Sequence, residues 1–338
     1  DILRYLFFLS LPCLVFISYK FFSQKFFFKN ISDFLINSNK EVVETKKTLL
    51  LFFLLFIFLL VIEFLSITFP IYGVDSFHDG QKLSSAYKHY TEGSLWSGSY
   101  VTVGIFYETL SSSIFWSLFD HISIGLGRFA EITYIFIFKI LFIFLIYQIA
   151  KLTQLDLIKK IIFFIFNSVV FISLIDYNII STDNFSYREL PIILILLLFT
   201  FLISKENKLI YILLISILSP LSLFWGVDRG LISNILILFI LIYLFLSKNK
   251  NDSILLIFAI CFSWFVSYLL LGKEFEQFLN NTYLIFKEMS YIHGVIHPKI
   301  FSNDENSARA SKTIILILIN MLISLNLFFK KKYPINFS

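Results

Sequence analysis

Runs of apolar residues recur along the chain at close to the length a helix needs to cross a bilayer. A transmembrane helix takes roughly 20 such residues. Runs fall at 4–19, 48–69, 132–150, 161–176, 190–204, 209–225, 231–247, 253–271 and 313–329. The pattern predicts an all-α fold: a polytopic transmembrane helix bundle of about nine spans. Segment 105–119 is apolar but short, and Glu108 and three serines interrupt it. It is expected as an interfacial or re-entrant helix. Short interfacial helices of this kind would sit in an external loop layer. Two regions follow: 1–47, a span with a basic cytoplasmic loop, and 48–338, the main transmembrane domain.

Charge orients the spans. Connections 20–47, 151–160, 205–208, 248–250 and 330–332 carry 16 lysines in 48 positions. Connections 70–131, 177–189, 226–230 and 272–312 carry 10 basic residues in 121 positions. The two sets alternate without a break, so the lysine-rich set is expected in the cytoplasm. The long loops are then external, and the expected setting is a bacterial inner (plasma) membrane with those loops on the periplasmic side. All five histidines and all eleven glycines fall on the external side. Long loops cost little extra entropy and tend to carry function.

Composition agrees: 58% of residues are hydrophobic and 15% charged, against about 45–50% and about 25% in soluble domains. The net charge of +5 is explained by topology, and no nucleic-acid partner is expected. Cys13 and Cys261 lie in apolar runs and form no disulfide framework. The chain begins at Asp1 rather than Met, and a missing N-terminal portion is expected.

Four external stretches hold candidate chemistry. In the first, 72–108, Asp75 and Asp79 are four residues apart, as are His78 and Lys82, so a helix would put each pair on one face. Leu83, Tyr87 and Tyr90 follow at helical spacing and suggest a helix lying on the membrane surface. Either aspartate fits a general base or a ligand for a divalent cation (Mg or Mn); against this stands the plain reading of solvated loop charges. The second stretch is the short turn Trp225–Gly230, whose Asp228 and Arg229 must lie at the membrane surface. An arginine there can hold a phosphate by a fork of hydrogen bonds. The third brings Arg188 and Glu189 just outside the fifth span, as a phosphate contact or an interfacial anchor. The fourth is 272–312, with His293, His297 and Lys299. The two histidines have a helical metal-pair spacing, but Gly294 and Pro298 oppose a helix and favour a phosphate or substrate contact, or a plain loop. Within the membrane, Glu63 and Lys139 lie at similar depth with opposite sign and are expected to pair.

The early acidic stretch Val74-Asp75-Ser76-Phe77-His78-Asp79-Gly80, set directly after a span in the first large external loop, resembles the GT-C superfamily of membrane glycosyltransferases. The resemblance covers the layout of about 48–330. It implies transfer of a sugar from a polyprenyl-phosphate donor to a glycan, lipid or protein acceptor, with Asp75 or Asp79 as base. By the chemistry of the residues, Arg229 would offset the charge of the leaving lipid phosphate, with Arg188, Lys299 and His293 behind it, and Asp75, His78 and Asp79 would face Arg229. The extra span before the motif departs from that family's pattern. Two other readings are an O-antigen-type polymerase or ligase, which would use the late loop, and a multi-span transporter or flippase. The latter calls for polar groups near the bilayer midplane, where only Asn167, Asn234 and Asn320 stand.

Overall fold

The computed structural model describes residues 46–66, 78–97, 101, 103–153, 156–174, 187–204, 208–246 and 250–292, besides 17, 315 and 318. Among these the architecture is all-helical. The helices are α1 (Lys46–Ser66), α2 (His78–Glu92), α3 (Ile105–Glu108), α4 (Leu110–Phe119), α5 (Ile124–Leu152), α6 (Leu157–Leu174), α7 (Leu190–Ser204), α8 (Leu209–Trp225), α9 (Val227–Leu246), α10 (Lys250–Leu271) and α11 (Lys273–Ile292), with a 3₁₀ turn Tyr187–Glu189 before α7. Four segments are long and apolar enough to cross a membrane: Ile124–Leu152, Tyr187–Ser204, Val227–Phe245 and Lys250–Leu271. Shorter apolar helices occupy Leu50–Ile62, Leu110–Phe119 and Leu209–Trp225. The expected spans 4–19 and 313–329 lie outside the described residues.

The chain forms two compact units: 44–150 with 161–289 and the last two residues, and 1–43 with 151–160 and 290–336. In the described part of the second unit, Asp156 starts α6 by accepting the Lys159 amide at 2.9 Å, an N-cap that satisfies one of the helix's orphan donors.

In the larger unit, α8 is the hub and packs against α3, α7, α9 and α10. Its sequence suits that place: Ser216, Ser219 and Ser222 are buried, and small side chains let helix backbones approach closely in an apolar medium. The amide of Asn234 on α9 reaches the carbonyls of Ser219 at 3.0 Å and Gly230 at 2.9 Å. Its oxygen accepts from the Ser219 hydroxyl at 2.6 Å, and the Trp264 indole donates to the same hydroxyl at 3.1 Å. Asn234 thus joins α8 to α9 and Trp264 joins α10 to α8. Ile195, Ile212, Ile215, Ile240, Leu244 and Leu256 fill the apolar space between them. Elsewhere large side chains point outward on the spans: Phe258 is 70% and Leu270 81% exposed. That is the inverse of a water-soluble surface and fits lipid contact.

One element differs from the sequence expectation. Segment 272–312, expected as a loop, opens with the 20-residue helix α11. Its docking rests on groups that hydropathy undervalues. The buried Asn281 accepts the Val101 amide at 3.2 Å and donates to the Val101 carbonyl at 2.7 Å, as a neighbouring strand would. Glu274 accepts the Trp96 amide at 2.7 Å and also the Ser97 amide and hydroxyl. Burial works against the Glu274 charge, but the bonds from Ser97, Trp96 and Leu95 outweigh it and hold its pKa below the ordinary value. Around these bonds Trp96, Val101, Ile105, Phe224 and Phe278 form an apolar cluster. Asn281→Ala would strand two buried backbone groups, each costing about 1–3 kcal/mol. The expected result is a loss of about 2–6 kcal/mol, read by unfolding of the purified protein in detergent.

In α2, Lys82, Ser85 and Ala86 are buried, while Tyr87, part of the stripe expected to lie on the membrane surface, is 51% exposed. The polar face turns inward against α3 and α4. Ser111, Ser112 and Ser113 of α4 are themselves buried, and His89 meets the Ser113 hydroxyl at 3.0 Å. Burial lowers the His89 pKa below its ordinary value.

Candidate functional site

Polar residues at the start of α5 meet the inward face of α2, and from there a network runs through Tyr107 of α3 to the residues before α7 and at the start of α9. Two ion pairs lock α2 to α5. Arg128 donates to Asp79 at 2.9 Å, and Lys82 donates to Glu131 at 2.5 Å. Both pairs span 49 positions, so Asp-x-x-Lys on one helix meets Arg-x-x-Glu on another running the same way. Asp79 also stands in the first turn of α2, where a carboxylate complements the helix dipole. Asp79, Lys82, Ser112, Gly127, Arg128 and Glu131 line a small recess.

Lys82 continues the network inward. Its ammonium lies 4.6 Å from the centre of the Tyr107 ring. Burial disfavours the charge, but Glu131, and Tyr107 after it, outweigh burial and hold the Lys82 pKa above the ordinary lysine value. The Arg188 guanidinium also lies over the Tyr107 ring, 5.3 Å from its centre. Both contacts fall within cation–π range. Burial raises the Tyr107 phenol above its ordinary pKa, with Lys82 opposing it. Tyr187 packs on Tyr107 and Tyr134 with ring centres 5.0 and 5.5 Å apart.

Beyond Arg188 the network reaches the 225–230 turn. Arg188 donates to Asp228 at 2.7 Å. Arg229 donates to Glu189 at 2.7 Å and to Asp228 at 2.9 Å. The Trp225 indole fixes the turn by donating to the Tyr187 carbonyl at 3.0 Å, and the Val227 amide donates to Val103 at 2.8 Å. Glycine makes this approach possible. A Cβ on Gly104 would fall 2.6 Å from the Gly226 Cα, and one on Gly230 would fall 2.5 Å from the Leu223 Cα. Gly104→Ala must therefore push backbone apart, at a cost of at least about 1–3 kcal/mol. The expected result is a protein that still inserts but melts earlier, with Arg229 more exposed to a guanidine-modifying reagent.

The sequence-derived candidates divide as follows. Asp79, Lys82, Arg188, Asp228 and Arg229 all join one network, but Asp79 and Arg229 have other partners than those expected. Asp79 is held by Arg128, and Arg229 by Glu189 and Asp228; Lys82, Tyr107 and Arg188 connect the two ends. His78 opens α2, and its side chain lies outside the described residues. Asp75, His293, His297 and Lys299 lie outside them too, as does the side chain of Glu63, the expected partner of the buried Lys139. Arg128, Glu131 and Tyr107 were passed over, as was the buried Glu108, to which Gln81 donates at 2.5 Å. The available signal was the pair of complementary charges three apart on either side of the loop. Among the described residues no three His, Cys, Asp or Glu side chains cluster in a way that could hold a metal ion.

Helical architecture and apolar helices define a membrane-associated protein with a charged, aromatic network at one end of its bundle. The sequence matches no protein-family model, and neither a curated protein nor a solved structure matches the chain.

Proposed function

We propose that the chain is a membrane glycosyltransferase that moves a sugar from a polyprenyl-phosphate donor to an acceptor on the periplasmic side of a bacterial inner membrane, through a bundle of about nine spans. The observation that carries this reading is the recess beside Asp79. A carboxylate, an ammonium and a guanidinium border one small opening, with further guanidiniums linked to it through Tyr107. A lipid-linked sugar needs this kind of place: its isoprenoid tail stays in the bilayer while its headgroup reaches polar groups at the helix ends.

The chemistry needs a proton acceptor and charge stabilisation at the leaving phosphate. Asp79, with Asp75 as the other candidate, takes the acceptor hydroxyl's proton as that oxygen bonds to the anomeric carbon and the carbon–phosphate oxygen bond breaks. Attack from the face opposite the phosphate inverts the configuration. Arg128 holds the Asp79 carboxylate in place. Glycosyl transfer passes through oxocarbenium-like character, which acidifies the hydroxyl as it bonds, so a carboxylate with an arginine neighbour is base enough. At the other end, Arg229 is the most exposed cation of the network, its side chain 32% exposed against 14% for Arg188 and 8% for Lys82. It is the group best able to leave a carboxylate partner for a phosphate.

The test is turnover. Protein in lipid nanodiscs is incubated with a panel of polyprenyl-monophosphate hexoses and pentoses, and free polyprenyl phosphate is measured. Release with at least one donor supports the proposal; no release across the panel in the presence of glycan, lipid and peptide acceptors counts against it.

A further inference from the structure

Helix α11 buries one side and leaves a second apolar stripe uncovered. Phe278, Asn281 and Ile285 face the interior, each under 9% exposed. Leu279, Tyr283 and Phe286 are 51%, 66% and 54% exposed. At 3.6 residues per turn this stripe lies roughly 120° around the helix from the buried side. Between the two, on the far side, run Lys273, Gln277 and Asn280, with Leu284 among them 41% exposed. The helix thus has three sides: one docked on protein, one apolar and open, one mostly polar.

What covers the open stripe follows from how α11 begins. Span α10 ends in Tyr268, Leu269 and Leu270, which are 55%, 60% and 81% exposed and face lipid on an apolar span. Only Gly272 separates the two helices, with φ 53°, a left-handed turn that suits glycine. The exposed apolar end of α10 is thus followed, less than two turns into α11, by the exposed stripe that begins at Leu279. Glu274 and Asn281 then hold α11 against residues 96–101, so it is fixed where the span ends.

We propose that α11 is an interfacial helix. Leu279, Tyr283 and Phe286 dip into the boundary between headgroups and acyl chains of the leaflet at this end of the bundle, and the Lys273–Gln277–Asn280 side faces water. An aromatic ring with a polar tip suits that depth, and a partly apolar helix lying in the plane is stabilised by the area it buries. The partner is the lipid surface itself.

The test uses the full chain in nanodiscs with Cys13 and Cys261 replaced by serine. Single cysteines at Leu279, Tyr283 and Phe286, and at Lys273, Gln277 and Asn280, carry a nitroxide. Accessibility to dissolved oxygen and to a water-soluble nickel chelate is measured by electron paramagnetic resonance. The first three sites are expected to be open to oxygen and shielded from nickel several-fold more than the second three. Equal nickel access at all six would overturn the proposal, placing the stripe in water. Shielding of the first three from both reagents would also overturn it, since protein, either this chain or a second copy, would then cover the stripe. Loss of the difference in detergent-free, lipid-poor particles, with its return on adding lipid, would support it.

Discussion

Lys82→Met should destabilise the protein by about 3–5 kcal/mol, the cost of leaving one member of a buried ion pair without its partner. Lys82 and Glu131 each have side chains only 8% exposed, so water cannot replace the lost partner. The loss should include the contact with Tyr107. Lys82→Met combined with Glu131→Leu removes both charges, and most of the stability should return, because apolar replacement of a whole buried pair is often neutral or better. Unfolding of the single and double variants in detergent measures both effects. If the pair only holds α2 to α5, the double variant should regain activity along with stability. If Lys82 also touches substrate, stability returns and turnover does not. A single variant as stable as the parent would show that the pair does not carry the junction.

The second large effect concerns Asp79. Asp79→Asn keeps the shape of the side chain and a hydrogen bond from Arg128 but removes the negative charge. On the proposed reaction, turnover should fall by about 10²–10⁴-fold, the range for removing a general base. Membrane insertion and thermal stability should change little, since the Asp79–Arg128 pair is partly exposed, with side chains 21% and 19% accessible. Asp75→Asn is the necessary companion, because both aspartates fit the acidic motif. The pattern to look for is a fall in turnover without a matching fall in stability, the reverse of the Lys82 result.

Hydropathy was a good guide to the interior of the bundle. The run 209–225 coincides with α8, and 190–204 with α7. It failed where polar side chains are buried against one another. Helix α5 begins at Ile124, eight residues before the apolar run at 132, because Arg128 and Glu131 lower the hydropathy of a turn whose charges are neutralised by Asp79 and Lys82. The same pairing turns the polar side of α2 inward: Lys82 and Ser85 are buried because α4 and α5 offer serines and a carboxylate rather than an apolar groove. Helix α11 was hidden for a related reason. Its docking depends on Asn281, whose partner Val101 lies 180 positions away, and no local pattern reports such a contact. For the candidate site, residue types and their end of the bundle could be read from the sequence. The partners could not, since pairing is set by the register of α2 on α5 and by the close approach that Gly104 and Gly230 permit.

Release of polyprenyl phosphate from lipid-linked sugars by the nanodisc-embedded protein, compared among the parent, Asp79→Asn and Asp75→Asn, tests the central claim most directly. The account predicts release by the parent with at least one donor of the panel, and its loss in at least one of the two variants while both insert and fold normally. Undiminished release in both variants, or none from the parent with any donor, would contradict it.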